Sequence, residues 1–208
     1  MTTIYGMPDS GNCYKPRLVM ALLGQPFRHV EVSSRDGGTR RPEFLAKNPN
    51  GMVPLLELDD GRLLAESNAI LCYLAVATPL VPVDAFERAV MLQWMFFEQY
   101  SHEPNIAVRR ALLTNPARRD EATPEKLAAT LSGGNRALAV MAAQLDRTPY
   151  LAGARPTLAD IALYAYTHCA AEGGFDLADF PAIQGWLVRI EALPGFRPMS
   201  WLPAPLPR

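Results

Sequence analysis

Asn48-Pro49-Asn50-Gly51-Met52-Val53-Pro54 decides how this chain reads. Asn-Pro and Asn-Gly are turn pairs, because Pro presets φ and Gly supplies the left-handed conformation. The apolar run from Val53 to Leu58 then reads as a strand with Pro54 near its start, where a residue with no N–H to give the ladder is tolerated. If the Val53–Pro54 bond is trans, the stretch is an ordinary turn into a strand. If it is cis, the Val53 amide is left free for a ligand. The residues alone leave both open.

Toward the C-terminus, Leu63 and Leu64 face that strand across Asp59-Asp60-Gly61, an Asp-Gly hairpin signal. Glu66 to Ala77 follows with Ile70, Leu71 and Leu74 at helical spacing. Toward the N-terminus, Pro42 to Lys47 is a short helical turn with Pro at its start. Phe27 to Val32 alternates like a strand, and Arg17 to Leu23 is a helical run closed by Gly24. Thr2 to Tyr5 makes a first strand ahead of the breakers Gly6 and Pro8. Residues 1–77 therefore predict the order β-α-β-α-β-β-α, an α/β unit whose central sheet carries helices on its faces.

Thr78-Pro79-Leu80-Val81-Pro82 breaks the last helix, so residues 78–84 read as a linker. Residues 85–208 then predict an all-helical domain. Phe86, Val90, Trp94 and Phe97 recur at helical spacing, and Thr123-Pro124 pairs an N-cap with Pro at the first helical position. Leu127, Leu131, Leu138, Met141 and Leu145 continue one stripe across Gly133-Gly134, which predicts a close helix contact or a kink there. Thr157-Leu158-Ala159-Asp160 is a capping box with Asp in place of Glu, a folding element rather than a site. Ala182 to Leu193 is a last helix, stopped by Pro194-Gly195. The tail from Arg197 to Arg208 holds four prolines and predicts no regular helix.

Composition narrows the function. At 49% apolar and 20% charged the chain buries a core. Its net charge of −1, with no large basic cluster, argues against nucleic acid or a membrane surface as partner. No apolar run reaches the roughly 18–20 residues that cross a bilayer. Cys13, Cys72 and Cys169 form neither a disulfide framework nor a zinc pattern, which fits a reducing cytoplasm. His29, His102 and His168 are too scattered to suggest a metal centre.

Two further stretches bear chemistry. Asp9-Ser10-Gly11-Asn12-Cys13-Tyr14-Lys15 sets a hydroxyl, an amide and a thiol just ahead of a helix, whose N-terminus favours anions; the alternative is simple capping. Glu66-Ser67 opens the third helix. Ser67 and the first-turn amides suit a carboxylate and Glu66 an ammonium, the two charges of an amino-acid head group; the alternative is a first-turn acid complementing the dipole.

Together, Asn48 to Pro54, Glu66 to Leu74 (Glu-Ser-x-Ala-Ile-x-x-Tyr-Leu), the linker and the helical half with its capping box resemble the cytosolic glutathione transferases over nearly the whole chain. The resemblance implies a thioredoxin-like first domain that binds glutathione, and a homodimer. It implies that Val53, beside a cis Pro54, holds the cysteinyl backbone and that Glu66 and Ser67 hold the γ-glutamyl group. Thr39, Arg40 or Arg41 would meet the glycyl carboxylate, Arg41 being the residue favoured. Met52 stands where many relatives carry Lys or Gln and brings no charge. The Ser10-x-Asn12 pattern resembles nu- and zeta-type members, so Ser10 and Asn12 would stabilise the thiolate, with Cys13 as the rival from a theta-type alignment. A second substrate, a small electrophile, disulfide or peroxide, would meet Tyr14, Asn105 and Arg109 between the halves. Conjugation, glutathione-dependent reduction and a binding module without chemistry are the three functions implied.

Overall fold

The computed structural model describes residues 1–204; the last four residues of the proline-bearing tail lie outside the described residues. The chain divides into two compact units, Met1–Val76 together with the segment from Leu193 on, and Ala77–Ala192.

The first unit is built on a four-stranded mixed sheet in the order β2-β1-β3-β4. β1 is Thr3–Gly6, β2 Arg28–Glu31, β3 Leu55–Glu57 and β4 Leu63–Ala65. β1 runs parallel to β2 and antiparallel to β3, with Ile4 opposite His29 on one side and Leu56 on the other. Ile4 and Leu56 are fully buried, so the centre of the sheet is its driest part. Helices α1 (Gly11–Leu22), α2 (Pro42–Leu45) and α3 (Ser67–Leu74) complete this unit, and α1 packs on α3.

The boundaries of α1 differ from the sequence reading. The helix begins at Gly11, not Arg17, because Ser10 caps it: the Ser10 Oγ accepts the Cys13 N–H at 3.4 Å. Pro16 is absorbed into the second turn. Asn12 and Lys15 therefore stand on a helix face, three residues apart, and not in a loop.

The second unit is helical throughout: α4 (Ala85–Phe97), α5 (Glu103–Thr114), α6 (Pro124–Leu145), α7 (Leu158–Thr167) and α8 (Pro181–Glu191), with a π-helical turn at Glu98–His102 joining α4 to α5. The predicted capping box is present. The fully buried Asp160 carboxylate accepts from the Thr157 N–H (2.8 Å), the Leu151 N–H (2.9 Å) and the Trp186 Nε1–H (3.0 Å), tying α7 to α8 and to the preceding loop. Gly133 and Gly134 lie inside α6. A Cβ on Gly134 would sit 2.3 Å from the Phe175 ring, and one on Gly133 2.1 Å from the Asn105 Oδ1. They are there for close contact.

The segment after α8 returns to the first unit, whereas the sequence reading grouped it with the helices. The Tyr14 hydroxyl donates to the Arg197 carbonyl (2.5 Å), and the Arg17 Nη2 donates to the Met199 carbonyl (3.1 Å). Trp201 packs edge-to-face on Phe27, centroids 6.0 Å apart. The cause is a buried guanidinium and phenol on α1 that need acceptors; an irregular strand, rich in free carbonyls, supplies them.

Candidate active site

Three chain segments of the first unit carry the candidate groups, and each is shaped by its own sequence. At the start of α1, Ser10 holds extended backbone (φ −87°, ψ 125°) and uses its oxygen to cap the helix. Its hydroxyl also meets the Cys13 thiol, the hydrogen bond that works against burial there. A donor thus stands at the positive end of the α1 dipole.

At the turn before β3 the Val53–Pro54 peptide is cis. The Asn48 side chain holds this turn, donating from Nδ2 to the Met52 carbonyl (2.8 Å) and accepting the Asn50 N–H (3.3 Å). Gly51 has φ +62°, a conformation that favours glycine. The Val53 N–H makes no hydrogen bond among the described residues.

At the start of α3, Glu66 is a non-glycine residue with φ +70° and ψ 115°. Such a conformation costs of order 1–3 kcal/mol, and strain of this kind concentrates where ligands are clamped. Its exposed carboxylate forms no ion pair among the described residues. Ser67 is buried and opens the helix, so its N–H is one of the amides that no helical carbonyl satisfies.

The segments meet. Ser67 Oγ lies 3.3 Å from the Asn12 Oδ1, and the fully buried Lys15 ammonium bonds both, at 2.8 Å to Asn12 and 3.3 Å to Ser67. Groups suited to an amino-acid head and a donor suited to an anion are thereby held side by side. The arrangement can bind a zwitterion at one end and favour an anionic sulfur or oxygen at the other.

Residues 4–82 match the model of the glutathione S-transferase N-terminal domain, and residues 105–194 that of the C-terminal domain. Glutathione S-transferase 3 of Zea mays is 34% identical, over 98% of this chain and 96% of that protein. The chain belongs to the glutathione transferase family. Another relative, the disulfide-bond oxidoreductase YfcG of Escherichia coli (strain K12), is 30% identical over 93% of this chain and 92% of its own. A crystal structure of a glutathione S-transferase from Pseudomonas fluorescens [Pf-5] superposes with a TM-score of 0.92 at 49% identity, covering 95% of this chain and 98% of that one. This member of the family is a glutathione-dependent enzyme with the family's mixed-sheet first domain and helical second domain.

Not every residue singled out from the sequence joins this cluster. Cys13 is fully buried against Gly6, and burial pushes its thiol up, so it faces the core beneath β1. Tyr14 is 1% exposed with its hydroxyl committed to the Arg197 carbonyl. Of the two arginines, it is Arg40 whose Nη1 reaches the turn, donating to the Asn50 carbonyl at 3.3 Å. Arg41 lines a separate cavity of about 420 Å³ with Tyr5, Val32, Phe44 and Lys47, on the face of the sheet that α2 covers. Met52 is exposed at the turn and contributes its carbonyl to Asn48.

In the helical unit, Asn105 donates to the Ser101 carbonyl (2.6 Å), and Arg109 donates to the carbonyls of Gly173 (2.6 Å) and Leu127 (2.5 Å). Both brace helices. The fully buried His102 sits 2.8 Å from the Thr167 hydroxyl, which itself donates to the Leu163 carbonyl at 2.7 Å, so the Nε2 of His102 is the donor. Sequence reasoning misses Lys15 because its stretch reads as lying ahead of the helix. The signal was its i,i+3 spacing from Asn12 once Ser10 is read as the N-cap.

Proposed function

We propose that this enzyme transfers glutathione to a small electrophile, with the Ser10 hydroxyl and the Asn12 amide as donors to the thiolate. The contact between Asn12 and Ser67 carries the reading, since it sets thiolate stabilisation next to the γ-glutamyl pocket. In this reading Glu66 meets the ammonium of glutathione, Ser67 and the α3 amides meet its α-carboxylate, and the Val53 N–H holds its cysteinyl carbonyl beside Pro54. Arg40, which reaches the turn, takes the glycyl end in this reading in place of Arg41. The partner in solution is a second copy of this chain.

The energies are sufficient. A free thiol has a pKa near 8.5, so only a few per cent is ionised at pH 7. Lowering it by about two units takes roughly 2.7 kcal/mol of preference for the anion. One hydrogen bond to a charged group supplies about 1.5–3 kcal/mol, and the α1 dipole adds about 0.3–1 kcal/mol. The proton leaves to water, and no protein base is required.

Glutathione-dependent disulfide reduction is the second reading, favoured by the 30% identity to a disulfide-bond oxidoreductase. The burial of Cys13 argues that glutathione itself would then be the thiol. Calorimetry with reduced glutathione on wild type and on Glu66→Ala/Ser67→Ala tests the site. Binding in the micromolar to millimolar range (about −8 to −4 kcal/mol) that disappears in the double variant is expected. A folded wild type that does not bind overturns both readings. Parallel assays with an aromatic halide and a mixed disulfide then separate transfer from reduction.

A further inference from the structure

Lysine is almost never fully buried unless it is paired, because the ammonium loses its hydration. Lys15 is fully buried, on α1, and its Nζ lies 2.8 Å from the Asn12 Oδ1 and 3.3 Å from the Ser67 Oγ. An ammonium has three donors and no acceptor. It fixes which end of the Asn12 amide it meets: the oxygen faces Lys15, since the flipped amide would set donor against donor. The Ser67 hydroxyl, 3.3 Å from the same oxygen, donates to it as well. With both hydrogen bonds on the oxygen, the NH₂ end of Asn12 is turned away from Lys15 and Ser67.

We propose that Lys15 is a positioning residue for the thiolate: its charge-assisted bond locks the Asn12 amide with Nδ2 as the donor end presented to glutathione sulfur. This rests on the reading of the site as a glutathione site. The bond is short and wholly shielded from water, conditions under which a charged donor dominates orientation. Because the same ammonium touches Ser67, it also holds the start of α3 against α1, keeping the two ends of the glutathione pocket in register.

The test is a titration of the glutathione thiolate, followed by its ultraviolet absorbance, in complexes of wild type, Lys15→Met, Asn12→Ala and the double variant. Circular dichroism and calorimetry verify folding and glutathione binding. Lys15→Met is expected to raise the pKa of the bound thiol so that about tenfold less thiolate is present at neutral pH. In the Asn12→Ala background the same change is expected to move it little, because there is no amide left to orient. An equal shift in both backgrounds means that the Lys15 charge acts on sulfur directly and overturns the proposal, as does no shift in either. If Lys15→Met does not fold, Asn12→Asp decides: its carboxylate keeps the Lys15 bond but offers no donor, so the thiol pKa is expected to rise, and a wild-type value overturns the proposal. Wild type failing to bind glutathione would sink the site reading itself, a result distinct from binding with a thiol pKa indifferent to Lys15.

Discussion

Glu66 holds its φ of +70° without the excuse of being glycine. The cost is of order 1–3 kcal/mol, and it is met by the rest of the fold to aim one carboxylate and the first amides of α3. Stability and binding should therefore part company here. Glu66→Gly removes the strain and the carboxylate together, whereas Glu66→Ala removes only the carboxylate. We expect Glu66→Gly to melt higher than Glu66→Ala by the equivalent of about 1 kcal/mol, less the entropy glycine returns to the unfolded chain. Both variants should lose glutathione affinity in calorimetry. Equal melting temperatures would mean that the backbone relaxes around alanine and that no strain is stored. The sequence reads Glu66 and Ser67 as a pair suited to an amino-acid head group, but the strained backbone is not legible there, because nothing in residue order distinguishes a helix start at φ −60° from one at +70°.

Among the elements, α6 sets two effects against each other at Gly134. Helix propensity alone says that alanine there stabilises by about 1 kcal/mol. Packing says the opposite, for a Cβ would stand 2.3 Å from the Phe175 ring. Overpacking of this kind typically costs about 1–3 kcal/mol. Contact at that range leaves Phe175, itself buried, nowhere to go, so packing wins. Gly134→Ala should lower the denaturation midpoint in urea without changing the slope; a gain in stability would show that Phe175 swings aside. Element order was readable from periodicity and punctuation, as the strand-helix sequence around Asn48 to Pro54 and the capping box at Thr157 attest. Boundaries were less so. Pro16 hid the first turn of α1, because proline in a second turn reads as a stop although the Ser10 cap and surrounding burial outweigh it.

For the whole molecule, sequence reading groups the segment after α8 with the helices, and the structure returns it to the first unit. Whether a proline-bearing tail joins the helices before it or another unit depends on which distant groups need acceptors, and that information sits on Tyr14 and Arg17, far upstream. The same limit applies to the surface of α4. Phe86 and Phe96, followed by Tyr100 in the π-helical turn, are 77%, 70% and 88% exposed, a quantity of bare aromatic surface that suits a partner better than water. With a second copy as that partner, light scattering after size-exclusion chromatography should give twice the chain mass, and Phe96→Asp should give the monomer. A wild-type monomer at micromolar concentration would refute it.

The return of the tail has a consequence for synthesis. The sheet unit emerges from the ribosome first, yet the carbonyls of Arg197 and Met199 that complete its α1 face are made only after every helix of the second unit. Until then the guanidinium of Arg17 has, among the described residues, only the Pro8 carbonyl as acceptor, and Phe27 lacks its tryptophan cover. The nascent first unit must wait, incompletely sealed, until residues 197–201 have been made.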